Sequence, residues 1–244
     1  MTSPTNMVEM GSETALTTCA DIWTPTSKLW TSWFPKWAHP NSAKNENWLP
    51  ASVAISLVPI RSLGANHRQR ISDHLLSLNV HDRHLRFGYS ANDQHIEHYV
   101  ANLNFVRDEI FGIYDRSLLL IAVAHIAYAI GDIYDTGAEF GVSVLPHARG
   151  RGYGARLFES AARNASNRDI AQIYIHALSE NTPMIKIATN AGARVERHGY
   201  ESEAYLQLPA PTMKSRLSEF VRERAARADY RIKVRSRHAS VGLR

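Results

Sequence analysis

Six consecutive residues, Arg149-Gly150-Arg151-Gly152-Tyr153-Gly154, set three glycines at alternate positions among fixed positive charges, and Arg156 follows two residues later. Glycine lets a main chain turn tightly and come close to a ligand. Upstream, Ala138-Glu139-Phe140-Gly141-Val142-Ser143-Val144-Leu145 is a β-type run that stops at Pro146. Downstream, Leu157, Ala161, Ala162 and Ala165 fall on one face of a helical pattern. A helix that begins at such a turn points its unpaired N–H groups and positive dipole end into it. The segment therefore reads as an anion cradle, with a pyrophosphate as its natural guest. The plain alternative is a solvated Gly/Arg turn. A Walker loop needs Gly-Lys-Ser/Thr, which is missing. A dinucleotide fingerprint needs glycine where Leu157 stands, and an acidic residue after the next parallel strand; neither is evident.

Glu139 lies on the strand that leads into this turn. Alternation places it with Gly141, Ser143 and Leu145, opposite Ala138, Phe140, Val142 and Val144. A charge near the middle of a buried sheet is costly unless it has a use or a partner. Glu139 is thus either a proton-accepting base or a strand-end carboxylate paired with an arginine. His176, on the next predicted strand, is the second candidate; its plain alternative is a buried, satisfied histidine. His81 and His84, like His95 and His98, have the i, i+3 spacing that can bind metal on a helix. Without a cysteine cluster or a carboxylate set of matching spacing, no metal site is expected.

These residues need elements to position them. The pattern predicts a strand over 53–60, a helix over 64–78, a polar knot at 79–87 and a helix capped by Asn92 or Asp93. A hairpin over 110–115 and 118–130 follows, turning near Arg116. Then come a strand over 137–145, a helix over 152–166, a strand over 172–178 and a helix over 182–190 stopped at Gly192. Two last strands lie near 193–197 and 203–208. Hairpins followed by strand–helix alternation predict a mixed α/β sheet with helices on both faces.

The chain of 244 residues is long enough for one domain with extensions. Its net charge of +5 is local: from Thr212 onward there are ten Lys/Arg and three Asp/Glu, against 18 and 20 elsewhere. After Pro209-Ala210-Pro211, Met213, Leu217, Phe220, Val221, Ala225 and Ala228 form the stripe of an amphipathic helix, expected to pack on its own domain or a second subunit. The basic end, 231–237, reads as a solvated tail; nucleic-acid or anionic-lipid contact is the less favoured reading. Residues 1–50 form an extension that holds all five tryptophans, Trp23, Trp30, Trp33, Trp37 and Trp48. They are expected to pack on their own domain, with a partner or membrane surface as the alternative. No apolar run has the length of a membrane span, and the start lacks a signal pattern. Cys19 is the single cysteine, so a reducing, cytoplasmic setting is the expectation.

Three segments carry a resemblance. The order Arg-x-x-Gly-x-Gly after an apolar strand, within Ala138 to Gly154, is similar to the coenzyme A loop of the GNAT acyltransferases. Leu85-Arg86-Phe87 before a helix, and Asn181-x-x-Met184-x-x-Ile187-Ala188-x-x-Ala191-Gly192, resemble the same family. The likeness covers roughly 53–208 and looks most like the acetyltransferase domain of bacterial Pat-type protein-lysine acetyltransferases. It implies a GNAT fold, with a mixed, mostly antiparallel sheet and helices on both faces. It also implies acetyl-CoA as co-substrate and a primary amine, protein lysine included, as acceptor. Val142, Ser143 and Val144 would lie along the pantetheine arm. Arg149, Gly150, Arg151, Gly152, Tyr153, Gly154 and Ala155 would hold the pyrophosphate, and Asn181 would touch the cofactor or simply cap its helix.

An alkylamine, with a pKa of about 10.4, must lose a proton before it attacks a thioester. The resemblance makes Glu139 the base, puts His176 where some relatives keep a glutamate, and places an oxyanion-binding N–H near Val144. Many relatives carry a proton-donating tyrosine where Ala188 stands. Its loss points to another acid such as Ser143, to no acid, or to a module that binds acyl-CoA without turnover. Homo-oligomers are compatible with this reading.

Overall fold

The computed structural model describes residues 59–129 and 137–241. The tryptophan-rich extension and most of the first predicted strand lie outside these residues. The short strand β1 (Arg61–Ser62) leads through a 3-10 turn, Ala65–His67, into three helices, α1 (Arg68–Leu76), α2 (Val80–Phe87) and α3 (Asp93–Ala101). Strands β2 (Glu109–Tyr114), β3 (Leu120–Tyr128) and β4 (Gly137–Val144) follow. Then come α4 (Tyr153–Asn167), β5 (Gln172–Leu178), α5 (Thr182–Asn190), β6 (Arg194–His198), β7 (Glu201–Gln207) and the long α6 (Met213–Val241).

The seven strands form one sheet in the order β1-β2-β3-β4-β5-β7-β6. Every neighbouring pair is antiparallel except β4 and β5. One face packs Ala138, Phe140, Ile173 and Ile175 against Leu157, Phe158, Ala161 and Ala162 of α4 and Met184 and Ala188 of α5. The small residues of α4 let it sit close to the strands, and Phe140 meets Phe158 edge-on at 4.9 Å. The other face lies under α1, α2 and α3, where Ile71, Leu75, Phe87, Ile96 and Val100 close a second core over Ile110, Leu120 and Val123.

Two differences from the sequence pattern matter. The polar knot at 79–87 is a helix, α2. Asn79 caps it by accepting from the Asp82 N–H at 2.8 Å, and Gly88 ends it in the left-handed region with φ 78°. Among the described residues, three helices, not two, therefore precede the hairpin. The basic end is not wholly a solvated tail, because α6 runs on to Val241. Lys233 pairs with Asp229 one turn back at 2.9 Å and donates to the Tyr114 carbonyl, and these contacts hold that turn onto the body.

Asn79→Ala removes the α2 cap without touching the core. It is expected to lower the unfolding free energy by about 1 kcal/mol, read as an earlier urea midpoint with an unchanged slope.

Candidate active site

The parallel ladder of β4 and β5 has three pairs, Gly137 with Gln172, Ala138 with Ile173 and Glu139 with Tyr174. Beyond Glu139 the two strands continue, to Val144 and Leu178, without pairing. The split leaves the β5-side main-chain groups of that half of β4 open to a ligand that can pair as a strand does.

The Gly/Arg turn lies at the far end of the split. Gly150 and Gly152 have φ of 75° and 73°, a region that other residues enter only with strain, and the space beside each is open. Gly154 has a different reason: an added Cβ would lie 3.0 Å from Ile187 Cδ1, so its absence lets α4 approach α5. Gly152 begins α4 with no side-chain cap, so the first N–H groups of the helix face outward beside Arg151. Arg149 donates from Nε to the Val144 carbonyl at 3.1 Å and from Nη2 to Asp82 Oδ1 at 2.6 Å. Asp82 is buried, and its second oxygen has no hydrogen-bond partner among the described residues.

Asn181 stands across the split, at the start of α5. Its Oδ1 accepts from the Met184 N–H, and its Nδ2 donates to the Leu85 carbonyl, both at 3.2 Å. It thus caps its helix and ties α5 to α2. Ala188 is buried in the core beneath.

Glu139, half-buried, lies where the ladder ends, and the register puts Gly141, Tyr174 and His176 on its face of the sheet. Burial pushes its carboxyl above the ordinary range, while the charges of His176 and Arg86 pull it back. His176 is exposed, not buried as its plain alternative supposed, and its Nδ1 lies 3.7 Å from Glu203 Oε1 on β7. Val142 and Val144 turn to the α4 core, whereas Ser143 points the other way, onto His74. His74 Nδ1 faces the Leu120 carbonyl at 2.8 Å, an acceptor only, so it carries the proton; Nε2 then accepts from the Ser143 hydroxyl at 2.8 Å. The Ser143 proton is committed to that bond, so Ser143 is a poor stand-in for the missing tyrosine.

The pattern of the sequence did not reveal a second set of polar groups on this face. Arg86 Nη2 donates to Tyr99 Oη at 3.0 Å, Tyr99 Oη contacts His125 Nδ1 at 2.8 Å, and His125 Nε2 meets Asp108 Oδ2 at 3.2 Å. Asp108 also holds Arg107 and accepts from the Tyr128 N–H. Burial alone would raise the Asp108 carboxyl, but the hydrogen bonds from Arg107 and His125 outweigh it and leave it below its usual range. Gly141 was the available signal, since a glycine inside a strand marks a close approach. Of the histidine pairs noted above, His95 completes the α3 cap with Asn92 and His98 contacts Asn102, while His84 Nε2 lies 3.8 Å from Glu180 Oε1.

Residues 75–192 match the family described as the Acetyltransferase (GNAT) family. In structure, the chain is similar to the GNAT domain of S. lividans PAT, with a TM-score of 0.53 at 19% identity over 61% of this chain and 89% of that one. It is also similar to a GCN5-related N-acetyltransferase from Kribbella flavida, with a TM-score of 0.51 at 17% identity over 61% of this chain and 96% of that one. No curated protein matches the sequence. Over residues 75–192 the sequence matches the GNAT acetyltransferase family, and the fold is that of the GNAT structures named above. Among the described residues, no helix is long and apolar enough to cross a membrane.

Burial holds His74 neutral, with its pKa lowered to about 4. As pH falls below 6.5, the unfolded chain takes up a proton that the folded protein refuses, so stability drops. Between pH 7 and pH 5 this histidine is expected to cost roughly 2 kcal/mol. His67 and His125 are lowered too, so the test is a difference: a folded His74→Gln variant should show a flatter urea midpoint against pH than the parent chain.

Proposed function

We propose that this protein is an N-acyltransferase that moves an acetyl group from acetyl-CoA to a primary amine, protein lysine side chains included. The observation that carries the reading is the parting of β4 and β5 directly after Glu139, with an uncapped helix and a Gly/Arg turn at the far end of the opening. The residues fit the co-substrate. Arg149, Arg151 and the N–H groups of residues 150–155 suit its pyrophosphate, and Val142, Ser143 and Val144 offer main chain to its pantetheine arm. Asn181 is the side chain opposite.

When bound, acetyl-CoA supplies a thioester carbon open to attack. Glu139 takes the proton that the amine must shed; a carboxyl raised by burial is a better match to this task near neutrality. The amine nitrogen bonds to the carbonyl carbon, the C–S bond breaks, and the thiolate leaves with its electron pair. A thiol pKa of about 8.5 makes that anion tolerable without a strong acid, which suits a site with Ala188 at the tyrosine position. His176 lies on the same face as the second proton acceptor. A second reading, an acyl-CoA-binding module without turnover, draws on Ala188 and on the committed Ser143 proton.

Thiol release from acetyl-CoA against small amines and lysine peptides separates the two readings: turnover supports the enzyme, and tight binding without release supports the module. Arg149→Glu with Gly152→Asp sets carboxylates against the pyrophosphate and should abolish coenzyme A binding in calorimetry of the folded double variant. Glu139→Gln should lower kcat by roughly 10²–10⁴-fold with little change in coenzyme A affinity. A near-normal rate would remove Glu139 from the mechanism and turn attention to His176.

A further inference from the structure

Arg86 lies on α2, is 8% exposed, and has its guanidinium where a side chain on β4 would otherwise be. A Cβ built on Gly141 would stand 2.8 Å from Arg86 Cζ and from Nη1. Gly141 is two residues from Glu139 on the same face of the same strand, a separation of about 7 Å along the chain. The guanidinium therefore rests on the face of the sheet that bears Glu139, one strand repeat beyond it, where β4 and β5 have parted.

Several contacts fix it there. The Phe87 and Tyr99 rings flank it, with centroids 5.1 and 5.5 Å from Cζ. Behind it runs the chain of Tyr99, His125 and Asp108. Asp108 is a carboxylate that only accepts, so His125 Nε2 donates to it. Burial keeps His125 neutral, so its Nδ1 accepts from the Tyr99 hydroxyl, whose oxygen in turn accepts from Arg86. All donors point the same way, from Arg86 toward Asp108, so each bond polarises the next. One turn earlier on α2, Asp82 holds Arg149, and the neighbouring Leu85 carbonyl is held by Asn181.

We propose that Arg86 is the positioning residue of this site: its guanidinium, seated over Gly141 and fixed by the Tyr99–His125–Asp108 chain, sets a permanent positive charge on the face of β4 that bears Glu139, at the mouth of the β4–β5 split. As a mechanism it rests on the reading of Glu139 as the base; as a placement it does not. The charged and titratable groups around Glu139 are Arg86 from α2, Tyr99 from α3, His125 from β3, and Tyr174 and His176 from β5. Only Arg86 among them carries a fixed charge, and a positive neighbour favours the ionised carboxylate.

The test uses the full chain and two readouts. In carbon NMR of labelled glutamate carboxyls, with Glu139 assigned from Glu139→Gln, Arg86→Gln should raise the Glu139 midpoint by about one pH unit, tenfold in its protonation equilibrium. Arg86→Lys, which keeps the charge, should return most of that shift. In turnover, the acid limb of the kcat/KM profile should move up with Arg86→Gln by a similar amount. A merely structural arginine would lower the rate at every pH and leave the limb in place. Should Arg86→Gln fail to fold, Gly141→Ala pushes the guanidinium off the strand from outside the chain of bonds and should shift the midpoint the same way. An unmoved midpoint in a folded variant overturns the proposal, as does an unmoved limb in an enzyme whose limb vanishes with Glu139→Gln. Normal turnover in Glu139→Gln would defeat the base reading alone, and the NMR titration would still decide where Arg86 acts.

Discussion

The β4–β5 ladder is three pairs long, and the site depends on where it stops. Pairing as far as Glu139 and Tyr174 fixes the two strands at one end, so they stay in one sheet. Its absence beyond that point opens a gap lined by main chain on one edge. Burial of unpaired main-chain groups costs free energy, so a gap of this kind suits a ligand that restores the bonds. Glu139 lies at the closed end, and the Gly/Arg turn and the start of α4 lie at the open end. Distance along one strand thus separates the part that would hold phosphate from the part that would accept a proton.

Helix α2 bridges the opening. Asp82 reaches the turn through Arg149, the Leu85 carbonyl reaches the start of α5 through Asn181, and Arg86 reaches the strand at Gly141. Three contacts within five residues tie one short helix to both sides of the gap. A buried carboxylate left by loss of Arg149 would be costly, so the turn and the helix are coupled: a change at the Gly/Arg turn is felt by the helix that carries Arg86.

Much of this was legible in the residues. The strand over 172–178 and the helix over 182–190 agree with β5 and α5, and the apolar stripe of Leu157, Ala161, Ala162 and Ala165 is the buried face of α4. The face assignment along β4 also holds, because alternation on a strand is rigid. Helix α2 was not legible, for a physical reason. Its buried positions include Asp82 and Arg86, satisfied by an ion pair and by a seat over glycine, so no apolar period of 3.6 is written there. The Tyr99–His125–Asp108 chain was hidden in the same way: its members come from α3, β3 and the loop before β2, and only the register brings them together. Past Ala228 the apolar stripe of α6 ends, yet the helix continues on the contacts of Tyr230 and Lys233 with Tyr114.

The most direct measurement is an experimental structure of the full chain with coenzyme A bound. The pyrophosphate is expected against the N–H groups of residues 150–155 and Arg151, the pantetheine arm along the open edge of β4 at Val142–Val144, and its sulfur end pointing toward Glu139. A pyrophosphate seated elsewhere on the domain, or an arm lying outside the gap with β4 and β5 paired along their full length, would contradict this.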